Sequence, residues 1–277
     1  MLLVLGLSSA CSVKFAYNNV DRLVRWQVSD YLDLDAEQKA YLQAEVRDLM
    51  AWHRVNHLPL YADYLQALAI QFADGASESQ IAGVFDQFLV WGYEMEDRAL
   101  PAASRLLSSL SDEQVAALPD KLEKSNLEIA EDELDLNLTQ IQLQWAGEFE
   151  DVMERFTGRL DREQRAYIDR RATAYIPERV LWAEYRRRWQ ADLLALLEHR
   201  HEVDEFARQF HALSKAREEY YGDEYTRISE QNIQLGREIA AYVLSNLSDK
   251  QSARFTESLT ELAEDFEELA AQKGEAV

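Results

Sequence analysis

The stretch LDLNLTQIQLQWAGEFEDVMERF, residues 134–156, decides the fold class of this chain. Its large apolar residues return every three or four positions, which is the period of one face of an amphipathic α-helix. A second stripe with this period runs from Trp182 to Leu213. At 1.5 Å of rise per residue, each stripe predicts a helix about 35 to 50 Å long. The first stripe consists of Leu134, Leu138, Ile141, Trp145, Phe149, Val152 and Phe156.

The composition of the 277 residues favours the same fold class. Nine glycines and four prolines are few for a strand-and-turn protein, and helix-forming residues are abundant. Residues 73–77 and 221–223 are the clearest loop signals, and no low-complexity linker separates two domains. We therefore expect an all-α protein, an elongated bundle of long amphipathic helices. Residues 11–277 are interpreted as one domain, in which any subdivision would fall near residues 100–120.

The net charge restricts the classes of partner. With 51 acidic and 29 basic residues, the formal charge is −22, which repels polyanions and disfavours nucleic-acid binding. No run of eighteen apolar residues is present, so we expect no membrane-spanning helix. Any link to a membrane is therefore expected to be an anchor.

The first eleven residues resemble the signal of a bacterial lipoprotein. An apolar run, Met1–Ala10, ends in small residues directly before Cys11, the only cysteine of the chain. In such signals a peptidase cleaves before a cysteine whose thiol carries a diacylglycerol, with acyl chains such as palmitate. The resemblance implies that residues 1–10 are removed and that Cys11 carries the lipid anchor. Ser12 follows it in place of Asp, which by analogy indicates the periplasmic face of the outer membrane.

Two features depart from this signal pattern. No basic residue precedes the apolar run, and Leu7 lies one position further from the cysteine than usual. The alternative is an unmodified, incidental cysteine near a frayed terminus.

A short motif of the form Leu-(Ser/Asp)-x-x-Gln occurs four times. It has the chemistry of a capping box, in which the Ser or Asp side chain accepts a hydrogen bond from a first-turn amide and Gln reaches back to the cap amide. Four well-capped helix starts are therefore the simplest interpretation, and a functional repeat is the alternative. The motifs occupy residues 34–38, 110–114, 160–164 and 247–251.

These motifs resemble the Leu-Thr-x-x-Gln signature of small helical periplasmic chaperones, which implies a surface that shields apolar segments of unfolded clients. A wider resemblance is to an uncharacterised family of proteobacterial lipoproteins, strongest over the first 70 residues. It implies an anchor and a helical fold, but no activity. The residues that carry it are Cys11-Ser12, Tyr17-Asn18-Asn19, Trp26, Asp30-Tyr31-Leu32-Asp33-Leu34, Trp52-His53-Arg54, Leu58-Pro59 and Tyr61.

Two small constellations suggest metal chemistry. His53 and His57 stand four residues apart on a predicted helix, where both imidazoles lie on one face. The zinc-protease pattern lacks its Glu and its third ligand, so we expect surface or rim histidines. Glu198 and His201 form a single Glu-x-x-His, of which di-iron bundles carry two. A metal-dependent helical-bundle enzyme built on these four residues is the alternative function.

Signatures of catalysis are otherwise weak. The sequence contains no nucleophile elbow, phosphate-binding glycine loop or dinucleotide fingerprint. Carboxylate pairs are uninformative in so acidic a chain. We therefore expect no enzyme activity and no cofactor.

The charges are patterned in blocks. A basic tract, residues 155–188, follows an acidic tract, residues 123–154. In the simpler interpretation, acidic and basic helices lie antiparallel and neutralise each other within the chain. In the other, Arg186, Arg187 and Arg188, flanked by aromatic residues, bind anionic lipid headgroups or an acidic partner.

These patterns favour a binding or scaffold protein over an enzyme. We expect an envelope protein tethered to the membrane through Cys11, whose partner is a polypeptide or an anionic envelope component. Chaperone-like binding is the most specific version, and it requires a contiguous exposed apolar patch on a concave face. A structural spacer with no binding site is a third interpretation.

Overall fold

The computed structural model describes residues 10–272. Within this range all regular secondary structure is helical, and no strand is present. The predicted all-α fold is therefore confirmed. A short 3-10 turn, Arg217–Tyr220, precedes α11. The helices are α1 (Ala10–Asn18), α2 (Val20–Ser29), α3 (Ala36–Asn56), α4 (Leu58–Gln71), α5 (Glu78–Ser108), α6 (Asp112–Leu134), α7 (Leu138–Thr157), α8 (Arg162–Ala172), α9 (Arg179–Leu197), α10 (Val203–Lys215), α11 (Asp223–Ser245) and α12 (Asp249–Ala271).

All four predicted capping boxes are present, at the starts of α3, α6, α8 and α12. Two further boxes start α5 and α7, on Ser77 with Gln80 and on Asn137 with Gln140. The motif missed them because it required Leu before the cap and only Ser or Asp at the cap. Asn is an equally good cap residue, so a wider motif would have found the second of them.

The two apolar stripes are interrupted, contrary to the sequence prediction. Leu134 ends α6, and the rest of the first stripe belongs to α7. The second stripe divides between α9 and α10 at buried Arg200. The Arg200 guanidinium donates to the carbonyl oxygens of Leu197 at 3.1 Å and Leu110 at 2.8 Å, and it pairs with Asp112. Arg200 thus binds the carbonyl group of Leu197, the last residue of α9, and joins this helix end to the loop before α6.

Two hydrophobic cores hold the bundle together. Core 1 contains buried residues of α4, α7, α8, α11 and α12, and core 2 contains buried residues of α6, α9, α10 and the loop before α3. Helix α5 contributes Ile81 to core 1 and both Leu100 and Leu106 to core 2. It has 31 residues and rises about 46 Å. A single continuous helix therefore ties the two cores together.

The four motifs associate in two pairs. In the first pair, Gln38 Nε2 donates to Gln114 Oε1 at 3.1 Å, and Gln114 Nε2 donates to Gln38 Oε1 at 2.7 Å. Each Nε2 also donates to the carbonyl oxygen just before the partner's motif leucine, at Ser109 and Asp33. Each glutamine therefore closes its own first turn and holds the start of the neighbouring helix.

The second pair repeats this geometry between α8 and α12. Gln251 Nε2 donates to Gln164 Oε1 at 2.8 Å, and Gln164 Nε2 donates to Gln251 Oε1 at 3.3 Å. The second acceptors are again the carbonyl oxygens before the motif leucines, at Asn246 and Arg159. The motif is thus a capping box that also joins two helix starts.

We predict that Gln164→Glu destabilises the protein by at least about 2 kcal/mol. Glutamate keeps the oxygen that accepts the cap amide, but it removes both Nε2 donations and places a carboxylate at a position only 1 % exposed. The free energy of unfolding, measured by urea titration, reports the loss. Gln80→Glu is the matched control, because its capping box lies in an exposed helix start and tolerates a carboxylate. Equal losses in the two variants would contradict the pairing role.

Candidate functional site

Four hydrogen-bonded side chains and a neighbouring carboxylate form a connected series, here called the histidine–tyrosine chain. It consists of Tyr17 on α1, His53 on α3, His57 at the α3–α4 junction, Tyr61 on α4 and Glu94 on α5. The two imidazoles stack with centroids 5.2 Å apart, so their predicted placement on one face is confirmed. The expectation of surface or rim histidines is wrong. His53 is 8 % exposed and His57 is 2 % exposed, because aromatic rings cover them.

The contacts of this chain lead from the partly buried Tyr17 through the two buried imidazoles to the exposed Glu94. Tyr17 Oη lies 3.0 Å from His53 Nδ1, and Tyr61 Oη lies 3.2 Å from His53 Nε2. The same Tyr61 Oη lies 3.1 Å from His57 Nδ1, and His57 Nε2 lies 3.4 Å from the exposed Glu94 carboxylate. All four imidazole nitrogens are therefore engaged within the protein.

Burial keeps this chain in its neutral form. Desolvation, and then the neighbouring charges of His57 and Arg54, lower the pKa of His53 to about 4. Desolvation also lowers the pKa of His57, against the opposing effect of Glu94. Burial raises the pKa of Tyr61 to about 12 and raises that of Tyr17 as well. At neutral pH, both histidines therefore hold their hydrogen bonds as uncharged imidazoles.

The residues considered for a metal site do not come together. Glu198 and His201 lie beside Arg200, which contacts Asp112 near the Gln38–Gln114 pair at the first turn of α3. His53 is fifteen residues further along α3, or roughly 22 Å away. Among the described residues, no group of three or more His, Cys, Asp or Glu side chains is arranged to hold a metal ion.

The three arginines bind within the chain. Arg187 forms a two-point salt bridge with Glu123 at 2.8 and 2.9 Å, and this hydrogen-bonded partner raises its pKa. Arg186 donates to Ser125 Oγ at 3.3 Å, and Arg188 donates to the carbonyl oxygen of Tyr220 at 2.8 Å. Helices α6 and α9 are antiparallel, since Asp112 meets Arg200 while the other end of α6 meets the start of α9. The interpretation of acidic and basic helices that pair in cis agrees with these contacts.

An apolar surface adjoins the histidine–tyrosine chain. We call it the α4–α5 face, and it comprises Leu60, Tyr64, Phe85, Phe88 and Leu89. The last three follow the i, i+3, i+4 spacing of one helix face and are about half exposed. Tyr64 and Phe88 are 6.5 Å apart between ring centroids, which joins the two helices into one patch.

Buried rings connect this face to the histidine–tyrosine chain. Trp91 lies 5.4 Å from both Tyr64 and Phe88, and 4.5 Å from Tyr61. The positions of Tyr61, four residues after His57 and eight after His53, could have indicated their shared face. Nothing in the sequence signals Glu94.

The proposed anchor falls at the edge of what the structure describes. Residues 1–9 and the side chain of Cys11 lie outside the described residues. None of the helices in residues 10–272 combines the length and the hydropathy needed to cross a bilayer.

We predict that His53 makes stability depend on pH. Its folded pKa lies below its ordinary value of 6.5, so the unfolded chain binds the extra proton and stability falls as pH drops below about 6.5. Between pH 7.5 and pH 5, the wild type should lose roughly 2 kcal/mol more than His53→Gln, which can hydrogen-bond to both tyrosines without titrating. Urea titrations across this range measure the difference. A His211→Gln control, at an exposed position, should keep the wild-type profile.

The histidine–tyrosine chain and the α4–α5 face lie largely within a region shared with other proteins. A model described as a family of unknown function, DUF6279, matches residues 30–226, which is more than half of the chain and includes His53, Tyr61 and Phe88 but not Cys11 or Tyr17. No curated protein and no solved structure matches the chain. The chain therefore belongs to the DUF6279 family of unknown function.

Proposed function

We propose that this protein is a lipid-anchored bacterial envelope protein that binds polypeptide segments through the α4–α5 face, in the manner of a chaperone or scaffold. The observation that carries the proposal is the exposure of that face. Phe85, Phe88 and Leu89 project from one side of α5 although two well-packed cores are available elsewhere. Contiguous apolar surface left in water by a folded chain is typical of interaction sites.

The shape and charge of the face suit one class of partner. Exposed acidic residues Asp63 and Glu94 lie on the same two helices as the apolar side chains, and Asp86 pairs with Arg237 at 3.9 Å. Gly92, on the same side of α5 as the apolar side chains, leaves open space where a side chain would otherwise project. An amphipathic helix with apolar residues at helical spacing and basic residues beside them would complement both features. The −22 charge of the chain adds to the attraction for cationic segments.

The paired capping boxes support the chaperone-like version. Their sequence resembles the Leu-Thr-x-x-Gln signature of small helical periplasmic chaperones. Here the glutamines join helix starts to each other by hydrogen bonds. These bonds help to keep α5 in place while its apolar side chains face water. Such a frame favours binding without collapse of the exposed face.

A peptide-binding measurement tests the face directly. The probe is a fluorescent helix of leucine and lysine, about five turns long, with its leucines on one side. Phe88→Ser with Leu89→Ser should weaken its binding at least tenfold, because each lost apolar contact is worth about 1.5 to 3 kcal/mol when fully buried. Fluorescence anisotropy measures the dissociation constant.

Two controls make this test specific. Leu134→Ser with Leu143→Ser removes two apolar residues near the α6–α7 turn that are more exposed than Phe88 and Leu89, and it should leave binding unchanged. A scrambled peptide of the same composition should bind more weakly to the wild type. Unchanged binding by the Phe88 and Leu89 variant would exclude the α4–α5 face as the site.

The anchor is tested by mass spectrometry of the mature protein from host membranes. We expect a chain that begins at Cys11 and carries a diacylglycerol and further acyl mass, and we expect Cys11→Ser to be unprocessed or released. A membrane-free chain of unmodified mass that retains Met1 would remove the tether from the proposal. The peptide-binding test would remain valid in that case.

A further inference from the structure

We propose that the outer side of the N-terminal arm, residues 10–29 of α1 and α2, is a second interaction surface and that it lies in the interface of a phospholipid bilayer. The inference goes beyond polypeptide binding, and it rests on the proposed tether at Cys11 for its orientation. Phe15 is 68 % exposed and Trp26 is 64 % exposed, and Leu23 is exposed as well. These are large apolar side chains that no described element of the chain covers.

The opposite side of the arm is fixed to the body of the protein. Lys14 Nζ lies 2.9 Å from the carboxylate of buried Asp265 on α12, and Tyr17 hydrogen-bonds with His53. Arg54 donates to Asn18 Oδ1 at 3.2 Å. Because these contacts set the rotation of α1, Phe15 points away from the bundle.

The arm also differs from the rest of the chain in charge. Residues 10–29 contain three basic residues, Lys14, Arg22 and Arg25, against one acidic residue, Asp21, which is a net charge of +2 in a protein of −22. Arg25 pairs with Asp21 at 2.9 Å, and Arg22 is exposed beside Leu23. At physiological salt, charges more than about 8 Å apart are largely screened. The arm therefore presents no excess of negative charge to an anionic bilayer, although the whole molecule is acidic.

A bilayer fits these features better than a second protein copy. Tryptophan and phenylalanine with adjacent arginine are the residues that populate membrane interfaces, where an amphipathic helix sits about 5–10 Å deep. Trp26 follows Cys11 by fifteen residues, or at most roughly 22 Å along the arm. A lipid on Cys11 would hold all three apolar side chains close to the headgroup region. Two copies would bring together two molecules of −22 charge.

The experiment uses the full lipidated protein in vesicles of phosphatidylethanolamine and phosphatidylglycerol, with and without bromine near the headgroup end of the acyl chains. Bromine quenches only tryptophans that enter the interface. The emission of Trp26 is the wild-type spectrum minus that of Trp26→Phe, a change at an exposed position that preserves the fold. Trp145→Phe supplies the same difference for a tryptophan packed against core 1.

We expect bromine to reduce the Trp26 emission at least twofold and to leave the Trp145 emission unchanged. Vesicle-bound protein with unquenched Trp26 would overturn this inference while leaving the tether intact. Protein that does not float with the vesicles would overturn the tether and this inference together, and the peptide-binding test would be unaffected. Equal quenching of Trp26 and Trp145 would show general adsorption and overturn the assignment to the arm. Trp26 emission that shifts with protein concentration but not with bromine would assign the surface to a second copy.

Discussion

The reciprocal hydrogen bonds between capping glutamines are the constraint on which this bundle depends. A glutamine amide has one acceptor and one donor group, and in each pair both are used twice: the oxygen closes the local first turn and accepts from the partner, while the nitrogen donates to the partner and to its loop. A helix start that is capped only locally can still slide against its neighbours. These starts cannot, because moving one by a single residue breaks bonds in both helices. Pairs of this kind hold the start of α3 to the start of α6, and the start of α8 to the start of α12.

Each glutamine pair lies at the edge of one core. Leu34 and Leu110, the motif leucines of the first pair, are buried in core 2, and Leu160 of the second pair is buried in core 1. The polar amides can be buried because every donor and acceptor has a partner. Their burial beside the apolar contacts therefore carries no desolvation penalty for an unsatisfied polar group. With two cores secured in this way and joined by α5, the bundle remains ordered while Phe85, Phe88 and Leu89 stay in water.

The fold class and the helix starts follow from the sequence because they depend on local chemistry. A 3.6-residue apolar period and a Ser-x-x-Gln or Asp-x-x-Gln box involve only neighbours in the chain. Features that depend on residues far apart in the chain cannot be predicted from such local patterns. Gln38 and Gln114 are 76 residues apart, and each forms an ordinary capping box when taken alone. The break at Arg200 requires Asp112 and the Leu110 carbonyl, and the burial of His53 requires Tyr17 from another helix. Blocks of opposite charge were the one long-range signal, because they predicted that acidic and basic helices pair, and α6 with α9 is such a pair.

The histidine–tyrosine chain physically links the two proposed surfaces. Tyr17 belongs to the N-terminal arm, and Tyr61 contacts Trp91 beneath the α4–α5 face. The stacked imidazoles contact both tyrosines and therefore connect the arm to the packing under the face. A proton on His53 would place a positive charge next to His57 and Arg54. Burial of this site favours the neutral form of the His53 imidazole. The bond to Tyr17 and the packing under Trp91 would weaken together, because both depend on the same uncharged rings. The contact between the arm and the body and the packing beneath the α4–α5 face therefore share one buried pair of histidines.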